Sequence, residues 1–270
     1  MNTETYQHSF LEKLLGKQYK WYFLIKYWIK ANTTYFWSEF FVGLNRTLVL
    51  LGTCVIFLYL GQKNEQPILN YLLLGSIFFT ITDPIISWFV SSNIKEGKMT
   101  RWLTYPVSHI HFLLFTALAN CIYLSITSLV SLIPVILLFN QSIDLTGNFW
   151  IFIPFVFISF IIRFSIQILA GFSSFWFTEG SGANHLVLSA ENFLSGSMFP
   201  LYILPIHFNW LQFLPFAFTF YHPMQIYLGK YSTIETSWVF AGGVAWCVAL
   251  YLLAKFIFKL GIKRNESVGL

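Results

Sequence analysis

Charge is scarce in this chain. Asp, Glu, Lys and Arg make up 10% of its 270 residues, against 56% hydrophobic and 20% aromatic. A soluble domain covers its surface with about a quarter of its residues charged. A water-soluble fold is therefore excluded and an integral membrane protein implied, in line with a mean hydropathy of +0.64. Cysteine is rarer still: Cys54, Cys121 and Cys247 each lie inside an apolar run, the usual buried packing role rather than a disulfide framework or metal centre. Catalytic signatures are missing as well. There is no H-E-x-x-H, no G-x-S-x-G and no G-x-x-x-x-G-K-[ST]. The chain is thus expected to be no enzyme, to bind no cofactor or metal of its own, and to leave any ATP hydrolysis to a partner. The pair His109 and His111 has no further Cys, His or carboxylate beside it, and reads as a loop pair facing lipid head groups rather than a metal site. Residues 1–20 are polar, so no cleavable signal peptide is expected. The net charge of +5 points to loop asymmetry and anionic lipid, with no nucleic-acid partner.

What is present is apolar length. A spanning helix needs about 20 apolar residues, and six stretches qualify: 40–60, 67–90, 112–139, 149–177, 186–204 and 233–258. The expectation is an all-α integral membrane fold forming one domain over 1–270. Its parts are a cytoplasmic and interfacial segment (1–39), spans one and two (40–90), a loop (91–111), spans three to five (112–204), an external region (205–232), span six (233–258) and a tail (259–270). In 12–40, Lys13, Lys17, Lys20, Lys26 and Lys30 recur at helical spacing among Leu and aromatic residues, the pattern of a helix lying in the membrane interface. A plain basic linker is the alternative. Orientation follows from where Lys and Arg fall. With the N-terminus inside, those five lysines join Lys95, Lys98, Arg101, Lys255, Lys259, Lys263 and Arg264 on the inner side, against Lys63 and Lys230 outside. Both termini are therefore expected in the cytoplasm.

Within the loop at 91–112, Ile94, Met99, Trp102 and Leu103 offer one apolar face of a short amphipathic helix that stops before Pro106. Such a helix can fill a groove on another protein, with Lys95, Lys98 and Arg101 as rim charges and Gly97 permitting close approach; an interfacial anchor is the other reading. Four ionisable residues fall inside apolar spans: Arg46, Asp83, Arg163 and Glu191. Charges at that depth usually face the protein interior or a watery cavity. Arg46 and Glu191 lie near span ends, where snorkelling is the plainer account. Asp83 precedes Pro84 and can hydrogen-bond the backbone freed by the proline. Arg163 is nearest mid-span, with Gln167 on its face of the helix, and an interior pairing is expected for it. After the fifth span, Gly196, Pro200, Pro205 and Pro215 interrupt a stretch that stays apolar. Irregular backbone at membrane depth needs shelter by protein. Two short helices at 199–205 and 211–220, dipping in and returning as a lid, fit that requirement.

This order of parts resembles the membrane subunits of type-2 ATP-binding-cassette exporters, over essentially the whole chain. "NIKEGKMTRWLTYP" is similar to the coupling segment of a branch of small bacterial permeases, through Ile94, Gly97, Met99, Leu103 and Pro106. "FWFTEGSGANHLVLSAENFLSGSMFPLYILP" is similar to its fifth-span region, through Phe175, Trp176, Glu179, Gly196, Pro200 and Pro205. "LPFAFTFYHPMQIYLG" continues the likeness through Pro215, Phe216, Tyr221, Pro223 and Gly229. The resemblance implies half of a transmembrane dimer in the cell inner membrane. It further implies a separate ABC ATPase subunit carrying ATP and Mg, docked on the coupling segment, and a sister permease, as a heterodimer or alternatively a homodimer. It also implies export of a drug, peptide, lipid or polymer. An integral-membrane lipid-modifying enzyme, for which the ionisable residues look too scattered, and an ion-coupled transporter are the rival readings.

Overall fold

Breakers placed inside apolar runs decide where the helices begin and end. The structure, a computed structural model, describes residues 25–26, 28–30, 33–34, 36–59, 66–98, 108–139, 149–177 and 180–268. Its long helices are α1 (Phe36–Tyr59), α2 (Gln66–Thr82), α4 (His109–Phe139), α5 (Phe149–Phe172) and α9 (Thr233–Val268), with the nine-residue α3 (Ser87–Lys95) following α2. Between α5 and α9 lie α6 (Gly180–Leu194), 3-10 turns at Leu201–Ile203 and Ile206–Phe213, α7 (Pro215–Thr219) and α8 (Tyr221–Tyr227). There is no β-strand among the described residues. Most of the basic stretch expected to lie in the interface falls outside them; Trp28 sets its ring 5.0 Å from that of Phe89 on α3.

Among the described residues, five stretches are long and apolar enough to cross a membrane: Phe36–Ile56, Tyr71–Lys95, His109–Ile126, Phe149–Phe175 and Thr233–Arg264. Two of the six expected spans are not single helices. The second, 67–90, breaks at Asp83–Ile86, because Pro84 has no N–H to give and Ile85 takes φ +37°, a left-handed conformation rare for a β-branched residue. The fifth, 186–204, starts earlier and stops sooner: α6 has 15 residues. At a rise of about 1.5 Å per residue that is roughly 22 Å, short of the roughly 30 Å hydrocarbon core. Gly196 ends it, at φ +83°. A side chain there would be strained and would also sit 3.1 Å from Leu201 Cγ.

The helix apolar on every side becomes the centre. α5 packs against α9, α3, α7, α6 and α8, while α1 packs on α4 and α2. Val90, Leu113, Phe164, Phe172 and Phe258 form the core where α3, α4, α5 and α9 meet. Tyr71, Phe78, Phe220 and Met224 form a second where α2 meets α8. The irregular stretch after α6 is a run of 3-10 and α turns rather than two short helices, and side chains pin it. Ser159 Oγ donates to the Phe218 carbonyl at 2.9 Å, Trp246 Nε1 to Phe213 O at 3.0 Å, and Tyr71 Oη to Gly196 O at 2.9 Å. Its prolines sit where no N–H is needed. Pro205 precedes the second 3-10 turn, Pro215 opens α7, and Pro223 is the third residue of α8.

Candidate functional site

The break after Thr82 leaves carbonyls and amides without helical partners, and side chains from other helices take them up. Arg163 on α5 donates Nη1 to Phe79 O at 2.7 Å and to Thr82 Oγ1 at 3.0 Å. Gln167, one turn on, accepts the Ile86 N–H at 3.0 Å and donates Nε2 to Asp83 Oδ1 at 2.9 Å. The Cys121 thiol on α4 donates to the Asp83 carbonyl at 3.0 Å. Asp83 also accepts the Ile85 N–H at 3.4 Å, the local bond that its place before the proline predicts. Buried polar groups must be bonded, and these bonds take up several loose ends of the break, while Ser87 Oγ just beyond it has no hydrogen-bond partner.

The same guanidinium gathers the charges. Arg163 Nε donates to Glu191 Oε1 on α6 at 2.6 Å, Nη2 lies 3.5 Å from Asp83 Oδ1, and its carbon sits 3.7 Å from the centre of the Phe79 ring. Arg163 and Glu191 are each 1% exposed and Asp83 is 5% exposed. Glu191 therefore does not snorkel: α6 turns it inward, onto α5. Ionisable residues that look scattered in the sequence converge in space, so scatter is no argument against chemistry here. Of the four, only Arg46 stays apart from this account; it lies on α1 and its side chain is outside the described residues.

Beside the cluster, a cavity of about 360 Å³ lies between α1, α2 and α6. Asp83, Arg163 and Glu191 form part of its wall, with Asn45 and Thr47 from α1, Ser76 and Thr80 from α2, and Asn192 from α6. Leu72, Phe79, Leu188 and Phe220 give it an apolar side. Phe220 comes from the junction of α7 and α8, its ring 5.5 Å from Tyr71 and 6.1 Å from Phe79. It seats there because Gly75 has no Cβ, which would overlap the Phe220 ring. The polar members of the cavity were not singled out from the sequence. A signal for α2 was available: Ser76, Thr80 and Asp83 recur at the spacing of one helix face.

The remaining candidates divide. Ile94 is 5% exposed in the core under α3, so it is not free to meet a partner; the helix ends at Lys95, and its buried face is turned to α4 and α5. Lys95, Gly97 and Lys98 are exposed, Gly97 at φ +66° and Lys98 paired with Glu96. Met99, Arg101, Leu103 and Pro106 lie outside the described residues. Gly196, Pro200, Pro205, Pro215 and Pro223 all fall in the irregular stretch, where each marks a turn or a helix start. His109 and His111 are in the first turn of α4 instead of a loop, with the His109 ring 5.4 Å from that of Phe258.

An apolar bundle, a charged helix break and a mainly apolar cavity with a polar, charged side fit a transport protein, and comparison with known families agrees. The model of the ABC-2 family transporter proteins matches residues 44–269. The chain belongs to this ABC-2 family. No curated protein matches it. As a member, it is a transmembrane subunit of an ABC transporter, a transporter component placed in a membrane by several apolar helices. Permeases of the ABC-2 family normally work with an ATPase partner.

Proposed function

We propose that this ABC-2 subunit is one half of an ATP-driven exporter of the inner membrane, and that the cavity between α1, α2 and α6 belongs to its transport path. The observation that carries the reading is the charged, partly polar wall of that cavity inside an otherwise apolar bundle. Intramembrane charge is costly and is retained where it lines a pathway or sets a packing. In this reading α6 is the fifth crossing although it is short, and the turns from 195 to 229 fill the outer leaflet above it as a re-entrant lid. Six crossings then put both termini in the cytoplasm, which the distribution of Lys and Arg supports. Export rests on the resemblance to type-2 exporters. A second permease, a sister chain or another copy, completes the path. ATP and Mg are held by the partner ATPase.

The docking element begins where α3 ends. Lys95, Gly97 and Lys98 are exposed there, and Met99, Arg101, Leu103 and Pro106 continue the segment; Ile94 supports it from the core. Met99 and Leu103 fill the ATPase groove and the basic residues set its orientation. The test is the double substitution Met99→Asp and Leu103→Asp. Co-purification with the ATPase and membrane-dependent ATP turnover are expected to be lost while membrane insertion is kept. Retention of both would make the segment an interfacial anchor and remove the docking proposal.

A further inference from the structure

The exposed face of α9 ends in lysine. Lys255, Lys259 and Lys263 stand four residues apart, so they form one line along the helix with a rise of about 6 Å between neighbours. All three are exposed, and exposed Leu252, Phe256 and Leu260 form a second line beside them. The opposite face is fixed: Ala254 and Phe258 lie in the core, and Gly261 makes room for the Phe175 ring. No carboxylate lies on α9 between Glu235 and Glu266, and among the described residues none of the three lysines is bridged to one. Arg264 lies about 100° further round the helix than Lys263 and is outside the line.

Depth decides what meets them. α9 opens at a capped end, where Ser232 Oγ accepts the Glu235 N–H at 3.3 Å and Glu235 accepts the Ser232 N–H at 2.8 Å. Exposed Trp238 follows, and a tryptophan at such a place marks the membrane interface. At about 1.5 Å per residue, Lys255, Lys259 and Lys263 lie about 26, 32 and 38 Å along the helix from it. The hydrocarbon core is about 30 Å thick, and a tilt of about 20° shortens these depths by a few Å. The line therefore crosses the phosphate layer of the far leaflet. The Lys255 ammonium, 5.7 Å from the centre of the Tyr251 ring, reaches that layer by extending its stem. An ATPase docks beyond the head groups, out of reach of Lys255 and Lys259. We infer that the line is a binding site for an anionic phospholipid, with the phosphate on the lysines and an acyl chain along Phe256 and Leu252. A zwitterionic lipid brings its own cation and gains less. Placing the site in the inner leaflet rests on the orientation proposed above; the binding itself does not.

The test titrates the full chain, stripped of lipid in a mild detergent, with dioctanoyl phosphatidylglycerol, dioctanoyl phosphatidylcholine and, as a free phosphate, glycerol 1-phosphate. Native mass spectrometry follows the first molecule bound. Saturable binding of the anionic lipid is expected, at least roughly fivefold tighter than the zwitterionic one, since each lysine near an anionic head group contributes about a factor of five. Glycerol 1-phosphate, with no acyl chain, should bind far more weakly. Lys259→Gln should weaken binding of the anionic lipid by roughly the same factor of five. Changing all three lysines to Gln should abolish the preference, while Lys230→Gln, before the other end of α9, leaves it unchanged. Equal binding of the two lipids to the unsubstituted chain overturns the inference, whether or not the variants fold. So does a preference that survives Lys259→Gln undiminished, or glycerol 1-phosphate binding as tightly as the lipid, which would make this a free-anion site. Loss of ATPase co-purification in the triple variant with its lipid preference intact assigns the line to the ATPase and overturns the inference as well. A reporter that places the C-terminus outside strikes only the choice of leaflet and the orientation behind it.

Discussion

Replacing Arg163 by Leu removes the one described cation from a site that buries two carboxylates. Four separate losses follow from the structure. Glu191 loses its 2.6 Å partner and Asp83 its neighbour at 3.5 Å. The Phe79 carbonyl, exposed by the helix break, loses its 2.7 Å donor, and Thr82 loses a 3.0 Å one. Breaking a buried ion pair from one side costs about 3–5 kcal/mol, and each neutral hydrogen bond about 1 kcal/mol. A total near the upper part of that first range is the expectation, since the carboxylates relieve part of the loss by taking protons. Glu191→Gln should cost far less, roughly 1–2 kcal/mol, because Arg163 keeps Asp83 and an amide oxygen still accepts from Nε. Arg163→Lys should fall between them, as one ammonium cannot serve α2 and α6 in the fork geometry of a guanidinium. Adding Glu191→Leu to Arg163→Leu should recover part of the loss, because the most exposed consequence, an unpaired Glu191, is then gone. Thermal unfolding and monodispersity in nanodiscs measure the series. If Arg163→Leu is as stable as the parent, the guanidinium contributes nothing net to holding α2, α5 and α6 together, and the reasoning fails.

Gly196→Ala should destabilise the chain by more than about 1 kcal/mol, from the left-handed backbone at φ +83° and the crowding against Leu201; an unchanged melting temperature would mean that the turn relaxes freely. His222 gives a pH dependence in the irregular stretch after α6, outside the spanning stretches. Its Nε2 donates to the Gln212 carbonyl at 2.8 Å and its Nδ1 accepts from Tyr231 Oη at 2.9 Å, with the Phe218 and Tyr221 rings around it. Burial lowers its pKa from 6.5 to about 4. The unfolded chain therefore takes up the proton first on acidification. Stability from this group is complete above about pH 6.5, declines as pH falls toward about 4, and is on the order of 3 kcal/mol. His222→Gln should flatten that part of a stability profile, and an equally steep profile in the variant would assign the effect elsewhere.

Membership in the ABC-2 family was readable from the order of apolar runs, basic segments and prolines, because those features act through composition and local chain chemistry. So was the depth of Arg163: a charge in the middle of an apolar run must find a partner wherever the chain folds. Which partner it finds was not readable. Glu191 lies 28 residues away and looks like a residue near a span end, and only the packing of α6 on α5 turns it inward. Ile94 was misplaced for a related reason. Its spacing with Met99 and Leu103 describes one helix face, but Gly97 turns the chain after α3 and leaves Ile94 in the core.

By itself, then, the sequence determined the solvent this chain folds in and the kind of machine it serves. Each of those depends on transfer energies and backbone limits belonging to single residues and their neighbours. Tertiary structure alone decided that the break at Asp83 is closed by Gln167 and Cys121, that Phe220 seats on Gly75, and that a cavity remains between α1, α2 and α6. Contacts between distant segments depend on helix rotation and crossing. A shift of one residue turns a helix face by about 100°, and no local pattern fixes the rotation of one helix against another.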